Sequence, residues 1–205
     1  IRDRYIATPA KVVAIDANGM VTPLGNGEAT ITATHAGGLK ATVKVTVKEY
    51  DVVQPINFGY EIVPIFTKAG CNAVGCHGKS GGQNGFRLSL LGFEPTEDYE
   101  YIVNEGRGRR VFPAASSRSL LIAKSTGLVA HGGGQRVTPG SHDEEILVKW
   151  IEQGMPWGTD TPRRLVAIKV TPDSRQLRPL STQQLRVTAL YSDDSRRDVT
   201  DAASY

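Results

Sequence analysis

Scarce residue types set the first bounds on this chain of 205 residues. It has two cysteines, two methionines, two tryptophans and four histidines, so a site built on thiol, thioether or imidazole must draw on very few positions. The net charge of +3 gives no broad basic surface, and Arg107-Gly-Arg109-Arg110 is the one basic cluster. That excludes nucleic acid as an expected partner. No run of about 18 apolar residues occurs, so no helical membrane span is expected. The chain opens at Ile1 with no signal-peptide pattern, and reads as an interior or processed piece of something longer. At 40% apolar and 22% charged residues the composition is ordinary for globular protein. Its length allows one large or two small domains of ~100–200 residues each.

Against this scarcity, both cysteines fall in one short stretch, Cys71-Asn-Ala-Val-Gly-Cys76-His77. Two thiols ending in Cys-His is how a haem is held covalently: each sulfur adds to a vinyl group and the histidine ligates iron. The usual spacing is C-x-x-C-H, and here it is C-x-x-x-x-C-H, two residues longer. On an ideal helix three steps turn a side chain by about 60° and five by about 140°. An undistorted helix therefore cannot aim both thiols at one haem edge. A loop or widened turn must take up the difference, and Gly75 is the residue expected to allow it. Two other readings stand beside this one: a Cys71–Cys76 disulfide, or a zinc site completed by His77 and His131.

In the haem reading His77 is the proximal ligand, and the distal ligand is His131 or Met155. His35 and Met20 lie in a strand-rich stretch, and His142 falls in the first turn of the last helix. His131 precedes three glycines at 132–134, which let the backbone approach a flat macrocycle, and it is the expected ligand. Met155 follows the last helix and could instead pack with Trp150 and Trp157. Histidine on both sides implies a lower potential than His/Met ligation. An open distal position would instead imply a haem enzyme or sensor. Arg87 and Arg136 are candidate partners for the haem propionates, or ordinary surface arginines. The Arg107-Gly-Arg109-Arg110 cluster reads as a solvated loop, or as an anion or haem-propionate contact. Phe66, Phe86, Phe93, Leu120, Leu121, Leu147, Trp150 and Ile151 are expected to wall the pocket or fill the core. Neither a phosphate-binding loop nor a Ser/His/Asp arrangement is present.

The hydrophobic period changes twice along the chain. Residues 1–49 carry short alternating β-branched runs parted by Asn-Gly and Gly-Gly turns, and residues 163–205 are strand-like again. Residues 55–158 follow a helical period, clearest from Ser141, an expected N-cap with Glu144 three residues on, to Gly154 as the stop. Asp16 through Thr34 resembles bacterial immunoglobulin-like (group 2) domains, of which residues 1–49 match the back half and residues 163–205 the front half. The middle segment resembles the class I cytochrome c fold. Gly75–Phe93, Ala130–Arg136 and Leu147–Gly158 are similar to cytochrome c-like domains of large planctomycete surface proteins.

The expectation is thus a mixed chain: immunoglobulin-like sandwich segments at both ends and an all-α cytochrome c-like domain between them. The two β halves are expected to complete one sandwich, within a chain or between two copies as a homodimer. The expected function is electron transfer by a covalent haem c on Cys71 and Cys76, at a periplasmic or cell-surface address, with an unidentified redox partner protein and no enzymatic turnover. The rival is an adhesive or structural surface protein with a zinc or disulfide site.

Overall fold

The computed structural model describes residues 4–159 and 164–203. The expected overlap of Ile1-Arg2-Asp3 with the Arg197-Asp198 region lies outside the described residues. The chain divides into two compact units between Gln54 and Pro55.

The first unit is all strand. β1 (Arg4–Thr8), β4 (Gly27–Thr34) and β5 (Lys40–Val47) form an antiparallel sheet in the order β1-β4-β5, while β2 (Val13–Ile15) and β3 (Val21–Pro23) form a two-stranded ribbon. The Asp-x-Asn-Gly signal makes the ribbon's turn: the Asp16 carboxylate accepts from the backbone N–H of Asn18 and Met20, both at 2.8 Å. Val12 and Val13 on the ribbon side pack with Ala29 and Ile31 of β4 as a small buried core. β1 was not among the expected strands; it is fixed by its register on β4, from Arg4 opposite Thr34 to Thr8 opposite Thr30.

The second unit holds four short helices, α1 (Val63–Lys68), α2 (Pro95–Tyr99), α3 (Leu120–Ser125) and α4 (His142–Glu152), of 6, 5, 6 and 11 residues. Single turns of π- and 3₁₀-helix extend them, such as Phe58–Ile62 ahead of α1 and Glu100–Asn104 after α2. β6 (Leu165–Thr171), β7 (Arg186–Tyr191) and β8 (Arg196–Asp198) add a three-stranded antiparallel sheet. Arg197 of β8 reaches Glu61 at 3.2 Å, tying this sheet to the turn before α1. The core gathers Phe58, Ile62, Phe66, Leu88, Ile102, Ile122, Leu147, Trp150 and Ile151. Ser141 caps α4 by accepting from the Glu144 N–H at 3.4 Å, and the buried Trp150 indole donates to Pro156 O at 2.9 Å.

Two expectations about fold class are corrected. Residues 55–158 are not an all-α domain, because the helical period is real only over short runs. Gly70, at φ 71°, stops α1 just before Cys71. Prolines at 95 and 113 restart the chain as new short turns. Nor is an immunoglobulin-like sandwich confirmed: the described strands pair into a three-stranded sheet and a two-stranded ribbon in the first unit and a three-stranded sheet in the second, and β6 leaves Leu165, Val166 and Ile168 exposed. The chain is mixed and sheet-rich. Among the described residues no helix is long and apolar enough to cross a membrane.

Candidate functional site

The Cys71–His77 segment is a chain of turns, not a helix. Cys71 N–H bonds Phe66 O at the end of α1, Cys76 N–H bonds Ala73 O, and His77 N–H closes back onto Cys71 O at 3.0 Å. The longer spacing is thus absorbed by a closed loop. Gly75, expected to supply the freedom, lies outside the left-handed region, and Gly70 at φ 71° ends α1 just ahead of the loop. Gly78 is required for a different reason. A Cβ there would lie 2.3 Å from Asn72 O and 2.8 Å from Ala73 O, so only glycine lets the chain cross its own loop. The loop is then pinned outward: Leu88 N–H donates to His77 O at 2.7 Å and Lys79 N–H to Leu88 O at 2.8 Å.

This pinning brings Phe86 over His77. His77 Nδ1 lies 2.9 Å from Phe86 O, and the two ring centroids are 4.6 Å apart. A carbonyl can only accept, so Nδ1 carries the proton and the neutral ring keeps its lone pair on Nε2. Burial holds the His77 imidazole below its ordinary pKa range; the Phe86 carbonyl works against this, and His131 and Arg110 reinforce it. His131 shows the same arrangement on its own loop. Its Nδ1 is 2.8 Å from Gly134 O, and Gly134 N–H returns to His131 O at 2.9 Å. Both imidazoles therefore hold Nδ1 to a backbone carbonyl and leave Nε2 for a ligand, the pattern by which metal-binding histidines are oriented.

The His77 and His131 rings lie near-parallel, with centroids 6.2 Å apart and planes 8° from parallel. They line one cavity of about 640 Å³ together with Cys71, Cys76, Phe66, Phe86, Leu120, Leu121 and Arg136. That volume is in the range of small-molecule and cofactor sites. Both cysteines are free thiols. Burial, with the neighbouring Cys76, pushes the Cys71 thiol up to about 11, so it stays protonated at neutral pH. Arg136 is exposed but points its guanidinium at Cys76 Sγ, 3.6 Å away.

Five of the residues singled out from sequence, Cys71, Cys76, His77, His131 and Arg136, thus share one cavity. Arg87 does not line it: its guanidinium lies over the Tyr101 ring at 4.5 Å, with Glu105 3.9 Å away. Met155 does not line it either; it packs against the core, and its backbone carbonyl accepts from Tyr99 OH. Phe93, expected in a wall, is 84% exposed. Leu147, Trp150 and Ile151 belong to the core. Sequence reasoning missed Lys124 as a lining residue, and left Arg109 and Arg110 as a solvated loop or as an anion or haem-propionate contact; all three line the cavity. Only the doublet of arginines gave a signal, and nothing in it says which one turns inward.

Among the described residues no three His, Cys, Asp or Glu side chains converge as an ion's ligands. A haem needs only two protein ligands, since the porphyrin supplies the rest. Two imidazoles whose Nε2 atoms met one metal from opposite sides, at about 2 Å each, would have ring centroids about 6 Å apart. The residues present fit a haem with two histidine ligands: two imidazoles whose Nδ1 atoms are held by backbone carbonyls, two free thiols beside them and a shared cavity lined by apolar side chains. Comparison with protein-family models, with curated proteins and with solved structures finds no match to this chain.

Proposed function

We propose that this chain holds one c-type haem, bound covalently through Cys71 and Cys76 with His77 and His131 as its two axial ligands, and serves in electron transfer. The observation that carries the proposal is the His77–His131 pair, parallel within 8° at 6.2 Å, on the wall of a cavity that also holds both cysteines. When bound, the haem supplies one-electron redox chemistry. The protein's residues bind and orient it. Phe86 O and Gly134 O fix the two ring tautomers, the turns from Cys71 to His77 set the thiols beside the proximal imidazole, and Phe66, Phe86, Leu120 and Leu121 exclude water.

Imidazole on both sides leaves no open coordination position, which favours electron transfer over turnover of a small ligand. It also sets a lower potential than a His/Met pair would. The resemblance of Gly75–Phe93 and Ala130–Arg136 to haem domains of planctomycete surface proteins points the same way. Thioether formation uses reduced thiols matured outside the cytoplasm, so a periplasmic or cell-surface address goes with this reading.

The test is the intact-protein mass after expression in a host with c-type maturation. Wild type is expected to gain one haem that survives acid–acetone extraction. Cys71→Ser and Cys76→Ser should each keep at most one thioether, and the double variant should lose all covalent haem. A mass equal to the bare polypeptide in the wild type, beside a normally matured control cytochrome, overturns the proposal.

A further inference from the structure

Arg110 is the most deeply placed cation beside the cavity, 9% exposed, and its contacts lead to the proximal histidine. Its Nη1 donates to Tyr101 O at 2.8 Å and Glu105 O at 2.9 Å. Its Nη2 donates to Gly85 O at 2.9 Å and meets the Glu105 carboxylate at 3.3 Å. The guanidinium carbon stands over the Phe86 ring, 4.6 Å from its centroid. One planar group therefore grips the carbonyl of residue 85 and the ring of residue 86. The carbonyl of that same Phe86 holds His77 Nδ1, and its ring packs on the His77 ring.

A buried guanidinium needs several acceptors to offset its desolvation. Three backbone carbonyls and a carboxylate do so here, which makes the assembly rigid. The Gln83–Phe86 turn that it grips is closed by the mutual hydrogen bonds of Gln83 and Phe86, each at 3.0 Å. Arg87, one residue further on, points away to Tyr101 and cannot substitute.

We infer that Arg110 is the positioning residue for His77: by fixing Gly85 and Phe86 it sets the rotation of the His77 ring about its Nε2–ligand axis and the strength of its Nδ1–H bond. Through it the angle between the two axial imidazoles is held. The inference rests on the haem reading, yet part of it is measurable without haem.

Two variants test it. Arg110→Lys keeps the charge but loses the planar double grip, and Phe86→Leu keeps the backbone carbonyl but loses the guanidinium's seat. In haem-free protein the His77 Nδ1 proton, followed by nitrogen-edited NMR, is expected to exchange about tenfold faster in both, the loss of roughly one neutral hydrogen bond. In haem-loaded protein the low-spin ferric EPR signal, whose spread of g-values reports the angle between the axial imidazole planes, is expected to change from one defined species to a distribution. Wild-type proton exchange and wild-type EPR in both variants, even with a lowered melting temperature, would make Arg110 a packing residue only and overturn the inference. A wild-type protein that takes up no haem would end the haem reading instead, and the proton-exchange result would still decide the role of Arg110.

Discussion

His131→Ala is expected to open one face of the iron and raise carbon monoxide affinity of the reduced protein by about a hundredfold or more, if the wild-type open form is no more than about 1% of molecules. The wild-type imidazole is held from behind rather than free to swing. Its Nδ1 is tied to Gly134 O, and the loop that bears it is anchored where Arg136 and Val137 N–H both reach Ser125 O, at 2.7 and 2.9 Å. Gly133 leaves room for the ring, since a Cβ there would come within 3.1 Å of His131 Cε1. A ligand so pre-oriented competes well with any small molecule. Titration with carbon monoxide, followed by the Soret shift, measures the difference. Met155→Leu is the control and is expected to leave the affinity unchanged, because Met155 packs on the core and does not line the cavity. If Met155→Leu opened the site and His131→Ala did not, the assignment of the second ligand would be reversed.

Gly78→Ala is expected to cost about 3 kcal/mol or more of stability and to abolish haem attachment. Ordinary overpacking costs about 1–3 kcal/mol because side chains yield. Here the new methyl would meet Asn72 O at 2.3 Å and the Ala73 backbone at 2.8 Å. Those atoms belong to the loop that sets Cys71 and Cys76 beside His77, so relief requires opening it. Gly78 N–H to Ala73 O and His77 N–H to Cys71 O, both at 3.0 Å, would be lost together. Denaturant unfolding of the haem-free protein measures the first effect, and covalent haem content after maturation the second. Gly75→Ala is the contrast: a Cβ at Gly75 meets nothing within 4 Å, so stability and loading should stay near wild type. Equal effects at both positions would mean that the crossing of the loop is not what glycine 78 serves.

How far the sequence could be read depended on how local each cause was. The Cys71–Cys76–His77 grouping was legible because its chemistry is carried by neighbours in sequence. His131 was legible by elimination among few histidines and by its glycines. The short strands of the first unit were legible from alternation and turn signals, except β1, which owes its place to pairing with β4. The all-α reading of the middle segment was too broad: the helix expected at Glu61–Ala69 forms as Phe58–Ile62 and α1, but Gly70 at φ 71° ends it and the chain breaks into turns. Arg136 was singled out and lines the cavity, but the roles of Arg87 and Arg110 were not legible. Arg87 and Arg110 are each followed by an apolar residue and each lies over an aromatic ring, yet Tyr101 draws one outward and Phe86 the other inward. That choice is made by tertiary packing, which no local pattern encodes.

The most direct measurement of the central claim is a pyridine haemochrome spectrum of the protein after c-type maturation and acid–acetone extraction. Colour that stays with the polypeptide, with an α-band at the position of a haem joined by two thioethers, is the result expected from Cys71 and Cys76 lining the cavity with His77 and His131. An α-band shifted to the position of a single thioether would contradict the role given to one cysteine. A colourless protein, matured beside a control cytochrome that takes up its haem, would contradict the account as a whole.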